Sequence, residues 1–327
     1  MRKNFVVAVT GGTGTLGKNL IPKLKDKGYR VRCLVREGSD RSFLSKYADE
    51  FIIGDLRKPE ILISLINGVT RCFHLAAQVS DVGQEKVFEA VNVDGTKNIC
   101  DAIIRFNPMC KLIYASSISV LNVDKNNPKK STKYAISKFK AEQIVWDYIK
   151  HENLIATIIY SGLIYGPHDL RLVTSIIKYL KSGRLFYIKG GETLAPLIYA
   201  DDLCNLFITA SEEDCANGNS YISVKGLDIG MHNFINMLAD RIGHPRPRYT
   251  LPKKPLMISA IFLERIFDIF RIKRKPPLTM RVVDLLSLSW ALDNSKAWED
   301  FRWKPETRVN EGLEQTFNWY KENGIIF

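Results

Sequence analysis

What this chain lacks narrows it first. Its six cysteines, at 33, 72, 100, 110, 204 and 215, stand singly, with no C-x-x-C and no histidine at ligand spacing. That argues against a disulfide framework and a zinc site, and fits a reducing compartment. There is no repeat, no low-complexity tract and no long apolar run. The first apolar stretch, residues 5–9, has only five residues before a glycine cluster, too short for a signal peptide or a spanning helix, so a cytoplasmic protein is expected. Acidic residues are the scarcer charge, 35 against 47 basic, for a net +12. The basic residues are spread along the chain without interleaved aromatics, which disfavours nucleic acid as the partner. Anionic cofactors and anionic lipid remain as reasons for the excess. With 327 residues, the chain can bury the core of one large α/β domain with an appendage, or of two domains.

What is present begins at Thr10-Gly11-Gly12-Thr13-Gly14-Thr15-Leu16-Gly17. It follows a β-branched run and opens a segment with helical periodicity at Leu16, Leu20, Ile21 and Leu24. Strand, glycine turn, helix is the order in which backbone N–H groups and the positive end of a helix dipole meet a pyrophosphate. Apolar segments at 5–9, 30–35, 51–53, 71–76, 111–115 and 154–160, separated by helix-length intervals, predict a doubly wound parallel sheet. Such sheets bind ligands beyond the carboxyl ends of their strands.

The residues after each strand are therefore the ones to read. After the second, Arg36 stands where an acidic side chain would hydrogen-bond a ribose 2′-hydroxyl; a guanidinium there suits a 2′-phosphate and favours NADP, with NAD kept open by Glu37 next to it. After the third comes Asp55-Leu56, after the fourth Leu75-Ala76-Ala77, after the fifth Ser116-Ser117. Farther on, Tyr134 and Lys138 lie four apart and project from one helix face. Lowering a phenol from about 10 to roughly 7 requires about 4 kcal/mol. One ammonium at ~4 Å in an effective dielectric of ~20 supplies that.

These residues resemble the extended short-chain dehydrogenase/reductase family, also called the NAD-dependent epimerase/dehydratase family, over nearly the whole chain. The resemblance extends through Asn92, Tyr165-Gly166-Pro167 and Tyr199-Ala200-Asp201-Asp202. It implies a Rossmann fold with a smaller, mainly helical C-terminal substrate domain, divided as residues 1–165 and 166–327, the second part interleaved with strands returning to the first. It implies a cofactor set of Gly11, Thr13, Gly14, Leu16, Gly17, Arg36, Asp55, Leu56, Leu75, Ala76 and Ala77 with Tyr134 and Lys138, and no metal. Asp55 would contact the adenine and Lys138 the nicotinamide ribose. Ser117 would hydrogen-bond the substrate oxygen and Tyr134 exchange its proton while hydride passes. Asn92 would brace the site, and the Asp201-Asp202 pair would join the two parts rather than act in chemistry.

Departures from relatives discriminate among reactions. Ile118-Ser119 replaces the Asp-Glu pair of sugar-nucleotide dehydratases, which removes the titratable groups an elimination needs. Ala195-Pro196 stands where epimerases carry a pyrophosphate-gripping arginine, with Arg171, Arg184 and Arg246 as substitutes to consider; Tyr160-Ser161 replaces the usual Arg-Pro, which puts strand-end packing in question.

In the distal half, residues 256–270 predict a helix with a wide apolar arc, flanked by Lys253-Lys254 and by Arg271, Lys273, Arg274 and Lys275. Two readings stay open: a lid or dimer helix over the pocket, which is favoured, and a helix lying in an anionic membrane surface. This insertion, with Pro276-Pro277, looks like the branch of 3β-hydroxysteroid dehydrogenases and dihydroflavonol-reductase-like enzymes, with Leu288, Trp290 and the helix's phenylalanines, Phe262, Phe267 and Phe270, as pocket-lining candidates. The leading expectation is an NAD(P)-dependent reductase or dehydrogenase for a secondary alcohol or ketone on a hydrophobic, sterol-, flavonoid- or lipid-like body, acting as a homodimer. A nucleotide-sugar epimerase with tightly bound NAD is the alternative, and a non-catalytic cofactor-sensing scaffold the third.

Overall fold

The computed structural model describes residues 5–79, 84–126, 131–189, 195–224, 229–270, 272, 276–287 and 292–325. The chain opens with β1 (Val6–Thr10), α1 (Thr15–Asp26), β2 (Arg30–Val35), β3 (Glu50–Ile53), α2 (Pro59–Ile66) and β4 (Arg71–His74). After α3 (Glu85–Phe88) a π-helical turn, Glu89–Asp94, runs into α4 (Gly95–Phe106), then β5 (Lys111–Ser117), α5 (Lys133–His151) and β6 (Ala156–Ser161). The distal half adds β7 (Leu163–Tyr165), α6 (Leu172–Lys181), β8 (Tyr187–Ile188), β9 (Leu197–Tyr199), α7 (Ala200–Glu212), β10 (Ser220–Ser223), α8 (Met231–Arg241) and β11 (Thr250–Leu251). It ends with α9 (Lys253–Ile269), α10 (Met280–Ser287), α11 (Ser295–Phe301) and α12 (Val309–Glu322).

Seven parallel strands pair in the order β10-β6-β5-β4-β1-β2-β3. The six strands read from the sequence all form, with ends within two residues of those expected. Short β7 pairs with β9, and β8 with β11, outside this sheet. Neither pair was legible beforehand, because strands of two or three residues carry too little alternation to register.

Both faces of the sheet are covered, which is why its strands are almost continuously apolar. Alternation along β1 sends Val7 and Val9 into a core with Leu20, Ile21 and Leu24 of α1 and Phe207 of α7. Ala8 faces the opposite core, with Leu62 and Leu65 of α2 and Ile99 and Ile103 of α4. Each such fully buried side chain contributes roughly 1.5–3 kcal/mol. A third core in the distal half gathers Tyr165, Ile177, Leu238, Ala260 and Leu313. From β1 the strand order runs outward in both directions, so the crevice beyond the carboxyl ends of β1 and β4 is the switch point where a ligand is expected. Among the described residues no helix is long and apolar enough to cross a membrane.

Candidate active site

The glycine turn lies at that switch point, and its glycines are required for different reasons. Gly11 has φ +74, and a Cβ on it would stand 2.6 Å from the backbone nitrogen of Ala76, so the turn presses against the segment after β4. A Cβ on Gly17 would meet Gly12 Cα at 2.5 Å, so α1 sits directly on the turn. Gly14 differs: the nearest atom to its Cβ would be Gly11 O at 3.3 Å, with Thr13 and Gly14 both exposed. Gly14 also begins α1 without any side-chain cap, and the first turn holds no acidic residue. The leading N–H groups of α1 are left for an anion from outside, which is what a pyrophosphate supplies. Leu16 is buried beneath them.

Behind the turn runs a buried polar chain. Thr96 donates its hydroxyl to Asn92 O at 2.6 Å, so its oxygen accepts from His74 Nε2–H at 3.1 Å. The imidazole then accepts at Nδ1 from Thr10 at 2.7 Å, and the Thr10 oxygen receives the Ala76 N–H at 3.2 Å. Burial, aided by nearby Lys138, pushes His74 down to about 3. Asn92 clamps the segment after β4 to α5: its amide donates to Ser137 Oγ at 2.9 Å and Gln78 O at 3.2 Å, and its oxygen takes the Gln78 N–H at 2.7 Å. Leu75, Ala76 and Ala77 are thereby held half-buried between the turn and α5.

Helix α5 starts where the Thr132 hydroxyl accepts the Ala135 N–H at 3.2 Å, placing Tyr134 in its first turn. Lys138, one turn on, is buried and donates to Tyr114 Oη at 2.6 Å and Ala115 O at 2.8 Å. Tyr134 lies near enough that its phenolate would raise the buried Tyr114 hydroxyl further. Glu142, another turn on, is buried too and accepts from Ser116 at 2.6 Å and Tyr160 at 2.7 Å. Burial pulls Lys138 down to about 7, and Glu142 works against that fall.

The two serines at the end of β5 are unequal. Ser116 gives its hydroxyl to Glu142, whereas Ser117 accepts the Ser119 N–H at 3.2 Å and the Ser119 hydroxyl at 2.9 Å. With both lone pairs engaged, the Ser117 proton is what remains to offer a ligand. Ser119 thus occupies the dehydratases' acidic position with a neutral side chain that orients Ser117.

At the other end of the crevice, Asp55 accepts from Arg57 Nε at 2.8 Å and Nη2 at 2.9 Å. These bonds, with Arg36 nearby, hold its carboxyl below the usual range. Arg36 and Glu37 are exposed after β2, and Leu56 is buried with its carbonyl bonded by Asn98.

The Tyr165–Arg171 loop ties the crevice to the distal half. Thr15 and Asn19 donate to the carbonyls of His168 and Pro167 at 3.2 and 2.9 Å, and Arg171 donates to Val79 O at 2.7 Å. His168, at φ +64, packs its ring 4.6 Å from both Phe43 and Trp319, and burial pushes it down to about 4. Asp201 pairs with Lys23 of α1 at 2.8 Å, while buried Asp202 accepts the Glu306 and Thr307 N–H groups. Ala195 and Pro196 are buried; of the arginines considered as substitutes, Arg171 holds Val79 and Arg246 pairs with Asp240 at 2.8 Å. Tyr160 replaces the usual arginine by bonding Glu142, so the strand end is held after all. Leu288, Trp290, Arg271 and 273–275 lie outside the described residues, and of the phenylalanines expected to line the pocket, Phe262 and Phe270 are exposed instead, being on the outer side of α9 or past its end.

Sequence reasoning missed Tyr114, Ser119 and Glu142. Glu142 continues the four-residue spacing of Tyr134 and Lys138 and could have been found by it; Ser119 meets Ser117 through the local turn after β5, and Tyr114 meets Lys138 by tertiary contact.

Residues 7–222 match the model of the NAD dependent epimerase/dehydratase family. The chain is 28% identical over 327 residues to the 2-alkyl-3-oxoalkanoate reductase of Stenotrophomonas maltophilia, covering 94% of this chain and 97% of that one. It is 26% identical over 346 residues to 3beta-hydroxysteroid-dehydrogenase/decarboxylase isoform 1 of Arabidopsis thaliana, covering 95% and 78%. Among solved structures, gox2253 is similar at a TM-score of 0.80 and 26% identity, covering 99% of this chain and 100% of that one.

Proposed function

The chain belongs to the NAD dependent epimerase/dehydratase family, and from that premise we propose that it transfers hydride between a nicotinamide cofactor and a secondary alcohol or ketone on a lipophilic molecule. The observation that carries this reading is Lys138 donating to Tyr114 Oη and Ala115 O near the carboxyl end of β5, the strand that ends in Ser117, with Tyr134 one turn before Lys138 in α5 and one strand beyond the crevice that holds the glycine turn. The relatives' names, an oxoalkanoate reductase and a hydroxysteroid dehydrogenase/decarboxylase, support the substrate class.

The bound nicotinamide supplies or takes the hydride. Gly11, Gly14, Gly17 and the uncapped start of α1 would hold its pyrophosphate, with Thr13 and Leu16 beside them and Leu56 and Leu75–Ala77 walling the crevice. In reduction Ser117 donates a hydrogen bond to the carbonyl oxygen, which makes the carbon a better hydride acceptor. Tyr134 then gives that oxygen its phenolic proton, so C=O becomes CH–OH with one hydride and one proton added; oxidation reverses both. Lys138 favours the phenolate that results, and Glu142 favours the charged lysine. Arg36, exposed after β2 with Asp55 already bound by Arg57, supports NADP(H) over NAD(H).

The test is stoichiometric oxidation of NADPH and NADH against sterol-like, flavonoid-like and long-chain β-keto compounds, with UDP-sugars as the opposing set. Ketone-dependent oxidation, faster with NADPH, is expected. Sugar interconversion without net cofactor consumption, and no oxidation with any ketone, would overturn the reading.

A further inference from the structure

Helix α9 packs Leu256, Met257, Ala260 and Ile261 on the third core but leaves a second apolar face outside. Among its 17 residues only Ala260 is fully buried. Ile258 is 69% exposed, Phe262 64% and Ile269 75%, with Phe270 at 72% one residue past the end. At 3.6 residues per turn, Lys254, Ile258, Phe262, Arg265 and Ile269 fall within an arc of about 80°. Lys254 and Arg265 are exposed as well, so this arc is apolar and basic together. Both acidic side chains of the helix are drawn elsewhere: Glu264 accepts the Met280 N–H at 2.9 Å, and Asp268 pairs with Lys133 at 2.7 Å.

We propose that this arc docks on an anionic lipid surface. Apolar residues flanked by lysine and arginine, free of carboxylates, match acyl chains below and negative headgroups at their level. The net charge of +12 adds a longer-range attraction of the same sign. Docking also has a direction. The Lys133–Asp268 pair ties the far end of α9 to the first residue of α5, immediately before Tyr134. On the oxidoreductase reading, a lipophilic substrate then enters from the bilayer beside the phenol that protonates it.

The experiment is co-sedimentation of the full chain with vesicles of phosphatidylcholine alone and of phosphatidylcholine with phosphatidylglycerol. The intact protein sediments with the anionic vesicles and is released by salt. The triple variant Ile258→Ser, Phe262→Ser, Ile269→Ser loses about tenfold in partitioning, and Arg265→Glu loses less, while both keep their circular dichroism and their turnover of a short, water-soluble ketone. Sedimentation with neither vesicle, undiminished binding by the triple variant, or a dimer in ultracentrifugation that the triple variant abolishes each overturns the proposal. Lipid binding is read without turnover, so a chain that binds vesicles but reduces no ketone refutes the hydride reading and leaves the docking surface standing.

Discussion

Helices α5 and α9 invert the usual rule in opposite ways. α5 sinks Ser137, Lys138 and Glu142 into the protein, while α9 leaves Ile258, Phe262 and Ile269 outside it. Each departure costs folding free energy: an ammonium loses its hydration in one, and apolar area gains nothing in the other. A sequence that keeps such costs generally receives something for them elsewhere, and functional sites are where local rules are broken. The contrast teaches that polarity misplaced inward marks chemistry here, whereas apolarity misplaced outward marks an external surface, and the Lys133–Asp268 pair joins the two.

The contrast breaks most decisively at Tyr134. Tyr134→Phe should lower kcat by about 10³ with the dinucleotide Kd nearly unchanged; turnover close to that of the parent protein would remove α5 from the chemistry. Next in size, Gly17→Ala forces a Cβ against Gly12 Cα and should destabilise the fold by about 3 kcal/mol in urea titration. Gly14→Ala, whose Cβ would meet only Gly11 O at 3.3 Å, should move the urea midpoint far less than Gly17→Ala and weaken dinucleotide binding about tenfold by calorimetry, roughly one charge-assisted hydrogen bond. Equal effects of the two on stability would show that the turn serves the fold alone. Between these, Lys138→Met should remove the pH dependence that the buried ammonium gives the cofactor-free protein. The folded lysine sits at about 7 and the unfolded one near 10.4, so the folded state is penalised fully below pH 7 and progressively relieved as pH rises between those values. A stability difference between variant and parent that moves in the variant's favour as pH falls from about 10 to about 7 is the expected signature in thermal melts.

Much of this was legible in the sequence, because the informative signals are local. β-branched runs such as Val6–Thr10 announce strands, Gly11, Gly14 and Gly17 announce a turn against a helix, and Tyr134 with Lys138 announces a shared face. The helix expected at 256–270 forms as Lys253–Ile269, a turn earlier, because Pro255 falls in its first turn and is accommodated there. What was not legible depends on elements distant in the chain. The Tyr114 hydroxyl meets Lys138 only because β5 lies under α5, and Asn92 reaches Ser137 only because the π-helical turn lies against α5. Nor could composition show that Ile258, Phe262 and Ile269 of α9 face outward, since the same periodicity serves a packed helix.

The histidines at the two ends of the crevice make the protein sensitive to acid without making it a pH sensor. His74, at about 3, and His168, at about 4, stay neutral through the working range, so neither produces an inflection near pH 6.5 in a rate profile. Once the chain unfolds, both regain the ordinary affinity for a proton, with a midpoint of about 6.5. Acidification below that value therefore feeds protons to the unfolded ensemble alone, and His74 by itself erodes the margin by up to about 1.4 kcal/mol per pH unit until its folded midpoint is reached. The imidazole between Thr10 and Thr96 acts as a fuse, inert in service and the first part to fail in acid.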